Sequence, residues 1–372
     1  MPSYNDLRPQ QDSHRTDYAQ AFPDMLPDEK KRTLASLLRL RAGLDEKIVP
    51  KQSDRNLLIA SWNIKEFGHT GQRLSETYFY IAEIISRFDL VVIQEIKRGL
   101  RDLHLLMKLL GDDWAYLVND ITEGTDGNRE RSAYLYNKKR VEFAGLAGEI
   151  VLWDELTQGS TLKQLKRTPY MTGFRAGWKL FAMLNVHLHP GAGDANVTYR
   201  RKEMDMLLAA LQAKKQAGHL WTDKLVIAGD FNFYNGANRD DATVQAIHGA
   251  GYREVESLVG VDTNASLTET YDRLFIRQGD YFTVARDGNG DEVGGVFNPF
   301  DYVIRFGDEA VYLDAMKAVY GGDSDLDQPA ARDYYFKNYW RKNQLSDHFP
   351  IWFELITDSS DEFLAEKLAE YP

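Results

Sequence analysis

The chain is punctuated by apolar runs too short to cross a bilayer and too continuous to face water, such as residues 57–60 and 90–93. A short uninterrupted apolar run marks a strand covered on both faces. Such runs recur as LLIASWNI, DLVVIQEI, SAYLYN, RVEFAGLAGEIVL, PYMTGFRAG, KLFAMLNVHL, KLVIAGDF, YDRLFIR, FDYVIRF and FPIWFEL. Segments with helical spacing separate them. Leu34, Leu37, Leu38 and Leu44 mark a helix over 27–44, opened by Pro27 and Asp28. Leu74, Tyr78, Ile81, Ile85 and Phe88 mark one over 71–88; a third covers 102–110, and Met204, Leu207, Leu208 and Leu211 line a fourth. Ser359 and Glu362 have capping-box spacing before a last short helix. The expected fold class is α/β (α+β), with two packed β-sheets flanked by helices.

The organisation follows. Residues 1–53 read as a polar arm and a helix, 54–357 as the main domain, and 358–372 as a C-terminal helix. Residues 1–24 are polar and aperiodic and predict a mobile arm. The polar, aromatic stretch over 308–343 reads as an insertion, and no repeat of fixed period is present. A chain of 372 residues with 43% hydrophobic content suits one large domain with extensions. With no cysteine, disulfides, thiolate nucleophiles and Cys-based zinc sites are excluded. The polar N-terminus lacks the apolar centre of a secretory signal. The expectation is a cytoplasmic monomer without a membrane segment, although a disulfide-free secreted protein has the same composition. A net charge of −11 argues against a tight, general nucleic-acid binder. It leaves room for an enzyme with a local basic rim.

Five of the apolar runs end in a residue of metal-binding or acid/base type. These are SWNIKEFG with Asn63, VVIQEI with Glu95, LNVHLHP with His187, IAGDFNFY with Asp230 and Asn232, and LSDHFPIWF with Asp347 and His348. Strand ends are where α/β folds expose functional side chains. A glutamate after four apolar residues needs its charge compensated, by a hard cation such as Mg²⁺ or by a salt bridge. Asp230 and Asn232, two apart on an extended segment, point to one face. They suit a phosphate and its attacking water, or a simple Asx turn.

The order and spacing of these motifs over about residues 55–356 resemble the endonuclease/exonuclease/phosphatase superfamily, and within it the deoxyribonuclease I-like nucleases. The resemblance implies a four-layer sandwich and a phosphodiesterase with two histidines, each oriented by a carboxylate. By the same matching, His187 and His348 correspond to the histidines. Glu130 in NRERSAYLY and Asp272 in ETYDRLFI correspond to the carboxylates, and Arg167 in KRTPYMTGF to the arginine on the scissile phosphate. Asp230 and Asn232 join the catalytic set. One divalent cation, Mg²⁺ with Mn²⁺ or Ca²⁺ as alternatives, is expected on Glu95, Asn63 and Asp347. Lys65 and Lys97 stand where that enzyme has arginines, keeping the charge but losing the bidentate fork.

Histidine suits both proton roles because its unperturbed pKa is about 6.5. A carboxylate partner fixes the tautomer and stabilises the imidazolium. His348 with Asp272 is assigned to the water and His187 with Glu130 to the leaving group. Alternatives remain at this level. His189 lies on the same strand face as His187, and Asp301 in PFDYVIRF competes with Asp272. Glu130 can simply pair with an arginine of RER, and Arg167 sits in a basic cluster with Lys163 and Lys166. The expected function is a DNA endonuclease; the alternatives are a phosphoesterase for an inositol phosphate, sphingomyelin or other small phosphodiester, and an inactive binding module. Arg129 and Arg131, with Lys65, Lys97 and Arg167, favour a phosphate backbone. Residues 1–50 match no motif and are expected to be dispensable for chemistry.

Overall fold

The computed structural model describes residues 2–9, 21–68, 73–122, 129–236 and 239–371. The strands are β1 (Asn56–Phe67), β2 (Leu90–Lys97), β3 (Trp114–Val118), β4 (Glu130–Asn137), β5 (Glu142–Glu149), β6 (Tyr170–Ala176), β7 (Lys179–His187), β8 (Leu225–Asp230), β9 (Arg253–Glu254), β10 (Asp272–Ile276), β11 (Gly294–Val296) and β12 (Ile351–Ile356). They form two six-stranded sheets, ordered β11-β12-β1-β2-β4-β3 and β5-β6-β7-β8-β10-β9. Each sheet has one parallel pair at its centre, β1 with β2 and β7 with β8.

Strand alternation explains the layers. On β1, Leu57 and Ile59 face the second sheet, whereas Leu58, Ala60 and Trp62 join the core beneath the helices. The helices are α1 (Pro27–Lys47), α2 (Ser75–Ser86), α3 (Arg101–Leu110), α4 (Asp154–Thr157), α5 (Asp194–Gln216), α6 (Asp241–Gly249), α7 (Leu313–Lys317), α8 (Pro329–Tyr335), α9 (Arg341–Gln344) and α10 (Ser360–Ala369). Helices α1, α2 and α3 cover the first sheet, and α5 and α6 cover the second. The four-layer expectation therefore holds. Gly229 is needed where β8 crosses close to β7: its φ is +145°, and a Cβ there would collide with the Val186 carbonyl oxygen.

Several expectations are corrected. The arm is not free where it is described: Leu7 is buried, Ser3 N donates to Leu109 O (2.6 Å), and Asp6 accepts from Ala21 N and Phe22 N (2.8 and 2.9 Å). Residues 1 and 10–20 of that arm, and 71–72 of the expected second helix, lie outside the described residues. FDYVIRF forms no strand; its first two residues lie in a short 3-10 helix, Pro299–Asp301, and Val303 and Ile304 are buried after it. Ser359 does not cap α10 with its side chain, because its hydroxyl accepts from the buried Lys179 Nζ (2.7 Å). The stretch over 308–343, read as an insertion, packs on the domain: Tyr312, Met316, Phe336 and Trp340 are buried in the core shared with α1.

Helix α1 buries only part of the face its leucines suggested. Leu37, Leu40 and Leu44 are buried, while Leu34 and Leu38 are exposed at 41% and 71%. Small residues let it approach closely, and the Arg32–Glu76 ion pair (2.8 Å) ties it to α2. It shares one core with β1 and β2, which speaks against treating 1–50 as removable. We expect Leu40→Ala to lower the unfolding free energy by about 2–5 kcal/mol. Leu38→Ala should change it by under about 0.5 kcal/mol. Denaturant unfolding checks this, and equal effects would contradict the placement of α1 in the core.

Candidate active site

Six strand ends converge at one mouth of the two sheets. Asn63 comes from β1, Glu95 from β2, Glu130 opens β4, His187 and Asp230 end β7 and β8, and Asp272 opens β10. Register holds them together: His187 pairs with Asp230 across β7 and β8, and Asp272 with Asp230 across β10 and β8. His348 arrives on the turn before β12.

The backbone is bent to deliver these groups. Glu95 and Asn232 have φ of 61° and 51°, in the left-handed region that non-glycine residues rarely occupy. At Glu95 the pairing register of β2 slips against both neighbours, a bulge that turns the side chain into the mouth. Asn232 lies past the end of β8, so its relation to Asp230 is not strand alternation. Its amide N–H donates to Asp230 Oδ1 (2.8 Å), and its Nδ2 donates to Leu188 O (3.0 Å). The Asx turn is therefore formed, with both side chains at the same mouth.

Asp230 is the hub. Asn63 Nδ2 donates to Asp230 Oδ2 and to Glu95 Oε1 (both 3.0 Å), linking the two sheets. Glu95 Oε2 also accepts from Glu66 N (2.9 Å). The two histidines flank the hub in the same manner. His187 has Nδ1 3.2 Å from Glu130 Oε2 and Nε2 3.4 Å from Asp230 Oδ2. His348 has Nδ1 2.8 Å from Asp272 Oδ2 and Nε2 3.9 Å from Asp230 Oδ2. Burial pushes His348 down, but the Asp272 and Asp230 carboxylates outweigh it and hold the ring well above the usual imidazole range. Burial likewise pushes Glu130 up, yet the His187 hydrogen bond and the charges of His187, Arg167 and Lys97 hold it well below the carboxylate range.

The rivals are placed elsewhere. His189 Nε2 meets Asn196 Oδ1 (3.0 Å) and its ring lies against Tyr199, away from Asp230. Asp301 accepts from Asn298 Nδ2 and does not meet His348. Arg167 Nε donates to Glu130 Oε2 (2.9 Å) and Lys97 Nζ to Glu130 Oε1 (3.2 Å), so both cations stand beside His187. Lys65 Nζ instead pairs with Asp347 (3.1 Å). Of the flanking arginines, Arg131 binds Asn119 O and Asp120.

Two groups of side chains are spaced to hold a metal ion, Glu95–His187–Asp230 and Asp230–Asp272–His348, with ligand atoms within 4.8 Å of one another. Asp347 belongs to neither group; it is paired with Lys65. Asp230 belongs to both groups, beside the Glu95 expected from the sequence. Carboxylate oxygens of Glu95 and Asp230 suit a hard cation. The buried Asn63 Oδ1 has no hydrogen-bond partner among the described residues, and such a cation would satisfy it. The residues present therefore fit a divalent ion.

Supporting residues were missed in the sequence. Ser346 Oγ donates to Asn63 O (2.6 Å) and accepts from Lys65 N and His348 N (both 3.1 Å), fastening the SDH turn to β1. Its place in that motif was the available signal. Thr263 Oγ1 donates to Asp272 Oδ2 (2.9 Å), and Gln94 Nε2 donates to Asn185 Oδ1 (2.8 Å) across the sheets. Neither pairing has a local sequence signal.

Comparison with known proteins places the chain in a family. The chain is 24% identical over 317 residues to the protein named Deoxyribonuclease of Thioalkalivibrio sp. (strain K90mix), covering 82% of this chain and 72% of that one. It is 27% identical over 214 residues to Deoxyribonuclease-1 of Homo sapiens, covering 54% and 67%. A solved structure of humanized D. rerio TDP2 aligns at a TM-score of 0.49 and 15% identity, covering 81% of this chain and 98% of that chain. The model of the Endonuclease/Exonuclease/phosphatase family matches residues 60–348, a span that holds every site residue from Asn63 to His348, and the chain belongs to that family.

Proposed function

We propose that the chain is a divalent-metal-dependent phosphodiesterase that cuts DNA, using His348 and His187 as base and acid. One observation carries this reading: two imidazoles, each with Nδ1 on a carboxylate, direct Nε2 towards the same oxygen of Asp230. Phosphodiester hydrolysis needs a base for water, an acid for the leaving oxygen and positive charge at the phosphoryl oxygens. Asp272 orients His348, and with the Asp230 charge that favours the protonated ring offset by a cation, Nε2 is free to take the proton from water. Glu130 holds His187 so that Nε2 gives a proton to the leaving oxygen. Arg167 and Lys97, both gripped by Glu130, bring positive charge to the phosphate. Asn232 is fixed by Leu188 O and steadies Asp230 through its backbone N–H. When bound to Glu95, Asn63 and Asp230, a divalent cation (Mg²⁺, with Mn²⁺ or Ca²⁺ as alternatives) supplies further charge stabilisation. DNA as substrate is supported by relatives named deoxyribonuclease at 24% and 27% identity.

Plasmid, single-stranded RNA and a phosphodiester dye, each incubated with Mg²⁺ and with EDTA, test the reading. Plasmid should be cut with Mg²⁺ only; full cutting after dialysis into EDTA would sink it. Glu95→Ala should remove most activity without lowering the melting temperature.

Each of His187→Ala and His348→Ala should cost about 10²–10⁴ in rate. The double variant should lose less than the product of the two, because the groups act as a unit. Asp272→Asn should also be severe, since an amide cannot stabilise the imidazolium. His189→Ala should be mild. A folded, fully active His187→Ala beside an inactive His189→Ala would move the site by two residues.

A further inference from the structure

A cleft of about 460 Å³ opens beside the catalytic centre, and its wall holds Lys337, Arg341 and Lys342. Phe349, also in the wall, directly follows His348, and Ala265 in the wall donates its N–H to Asp347 O (2.8 Å). The cations come from the stretch that neither the mechanism nor the motifs use. Phe336 and Trp340 anchor it in the core, and a π-helical turn at Phe336–Trp340 leads into α9. Lys337 and Arg341, four residues apart, are thereby offered to the same cleft.

Arg341 is the decisive side chain. It is only 6% exposed, and its guanidinium lies 4.4 Å from the Phe300 ring centre and 4.0 Å from that of Phe306. Its Nε is buried without a hydrogen-bond partner, and among the described residues no carboxylate forms an ion pair with it. A buried cation without an acceptor is costly, and two aromatic faces offset only part of that cost. Lys337 Nζ stands over Phe306 at 5.4 Å, and Lys342 Nζ reaches Ser266 Oγ at 3.0 Å. Asp301, the sole carboxylate of the wall, is engaged by Asn298 Nδ2 at 2.9 Å. In a chain of net charge −11, the wall itself carries three cations and one carboxylate; Glu309 acts on Arg341 and Asp347 on Lys342 from outside it, without an ion pair to Arg341 among the described residues.

We propose that Arg341, Lys337 and Lys342 form a second phosphate-binding site, which takes a phosphate of the DNA strand outside the bond that is cut. The proposal rests on the DNA-cutting reading above for its ligand's source; the phosphate chemistry stands on the cleft alone. The site holds the strand in register while His187 and His348 act on the next accessible phosphodiester, so it contributes to binding rather than to the proton transfers.

The test is binding of a fluorescein-labelled DNA duplex in EDTA across a salt series. It compares the wild type, Arg341→Met, Lys337→Ala and, as a control for charge, Lys108→Ala on the exposed side of α3. Arg341→Met keeps an apolar chain between the phenylalanines, and Lys337 is exposed, so its replacement leaves the core intact. Each of the two should weaken binding about tenfold. Each should also reduce the slope of log affinity against log salt by about 0.9. Lys108→Ala should match the wild type. Inorganic phosphate should raise the melting temperature of the wild type but not of Arg341→Met. With Mg²⁺, the loss of turnover on DNA should exceed the loss on the phosphodiester dye. If the wild type binds DNA and both variants keep its affinity and salt slope, the proposal is overturned. A wild type that neither binds nor cuts DNA, yet is stabilised by phosphate through Arg341, would overturn the DNA-cutting reading and leave a site for free phosphate.

Discussion

The buried charge of Asp230 organises the mouth of the molecule. Its carboxylate ends a strand whose other residues are apolar, and it is 2% exposed. Such a charge persists only where donors and cations surround it. Asn63 reaches it from the opposite sheet, Asn232 N–H from its own loop, and the two histidines from either side. Glu95 adds a second carboxylate on the same Asn63 amide. The strain at Glu95 and Asn232 and the close strand crossing at Gly229 are the backbone cost of this convergence. The Glu95 and Asp230 carboxylates, with Asn63, have the oxygen chemistry that suits a divalent cation.

The supports of the site are as rigid as the sheets. Each histidine is fixed through Nδ1 by a carboxylate that is itself held, Glu130 by Arg167 and Lys97, and Asp272 by Thr263. Such second supports keep catalytic groups within a fraction of an ångström of working geometry. The covering layer matters as well. Helix α1 and the 308–343 stretch close the outer core of the first sheet, the same sheet that carries Asn63 and Glu95. The extra elements of this chain are therefore structural partners of the site.

Much of this was legible in the sequence, for physical reasons. Continuous apolar runs such as LVVI and LVIA specify strands covered on both faces, and a polar residue ending such a run is unusual enough to stand out. His187, Asp230, Asp272 and His348 were found this way or by resemblance, and the structure brings them together. The Lys65–Asp347 ion pair has no sequence signal, because its partners lie far apart in the chain. FDYVIRF has strand composition, but the turn at Pro299–Asp301 overrides it. Leu34 and Leu38 suggested the buried face of α1, whereas Gly43 and Ser36 show that close approach selects the small-residue face. Ser359 had the capping spacing and was taken instead by Lys179, a partner 180 residues away. FDYVIRF was missed despite a local trace, Asn298 and Pro299; the Lys65 and Lys179 pairings are long-range contacts without one.

The central claim is that the Asp230–Glu95–Asn63 cluster is a cation site at the heart of a hydrolytic centre. Calorimetric titration of the metal-stripped protein with Mg²⁺ and Mn²⁺ tests it most directly. The account predicts one divalent ion per chain, with binding weakened strongly in Glu95→Gln and a melting temperature that rises with the ion in the wild type. Absence of binding to the folded wild type, or equal binding in Glu95→Gln, would contradict it.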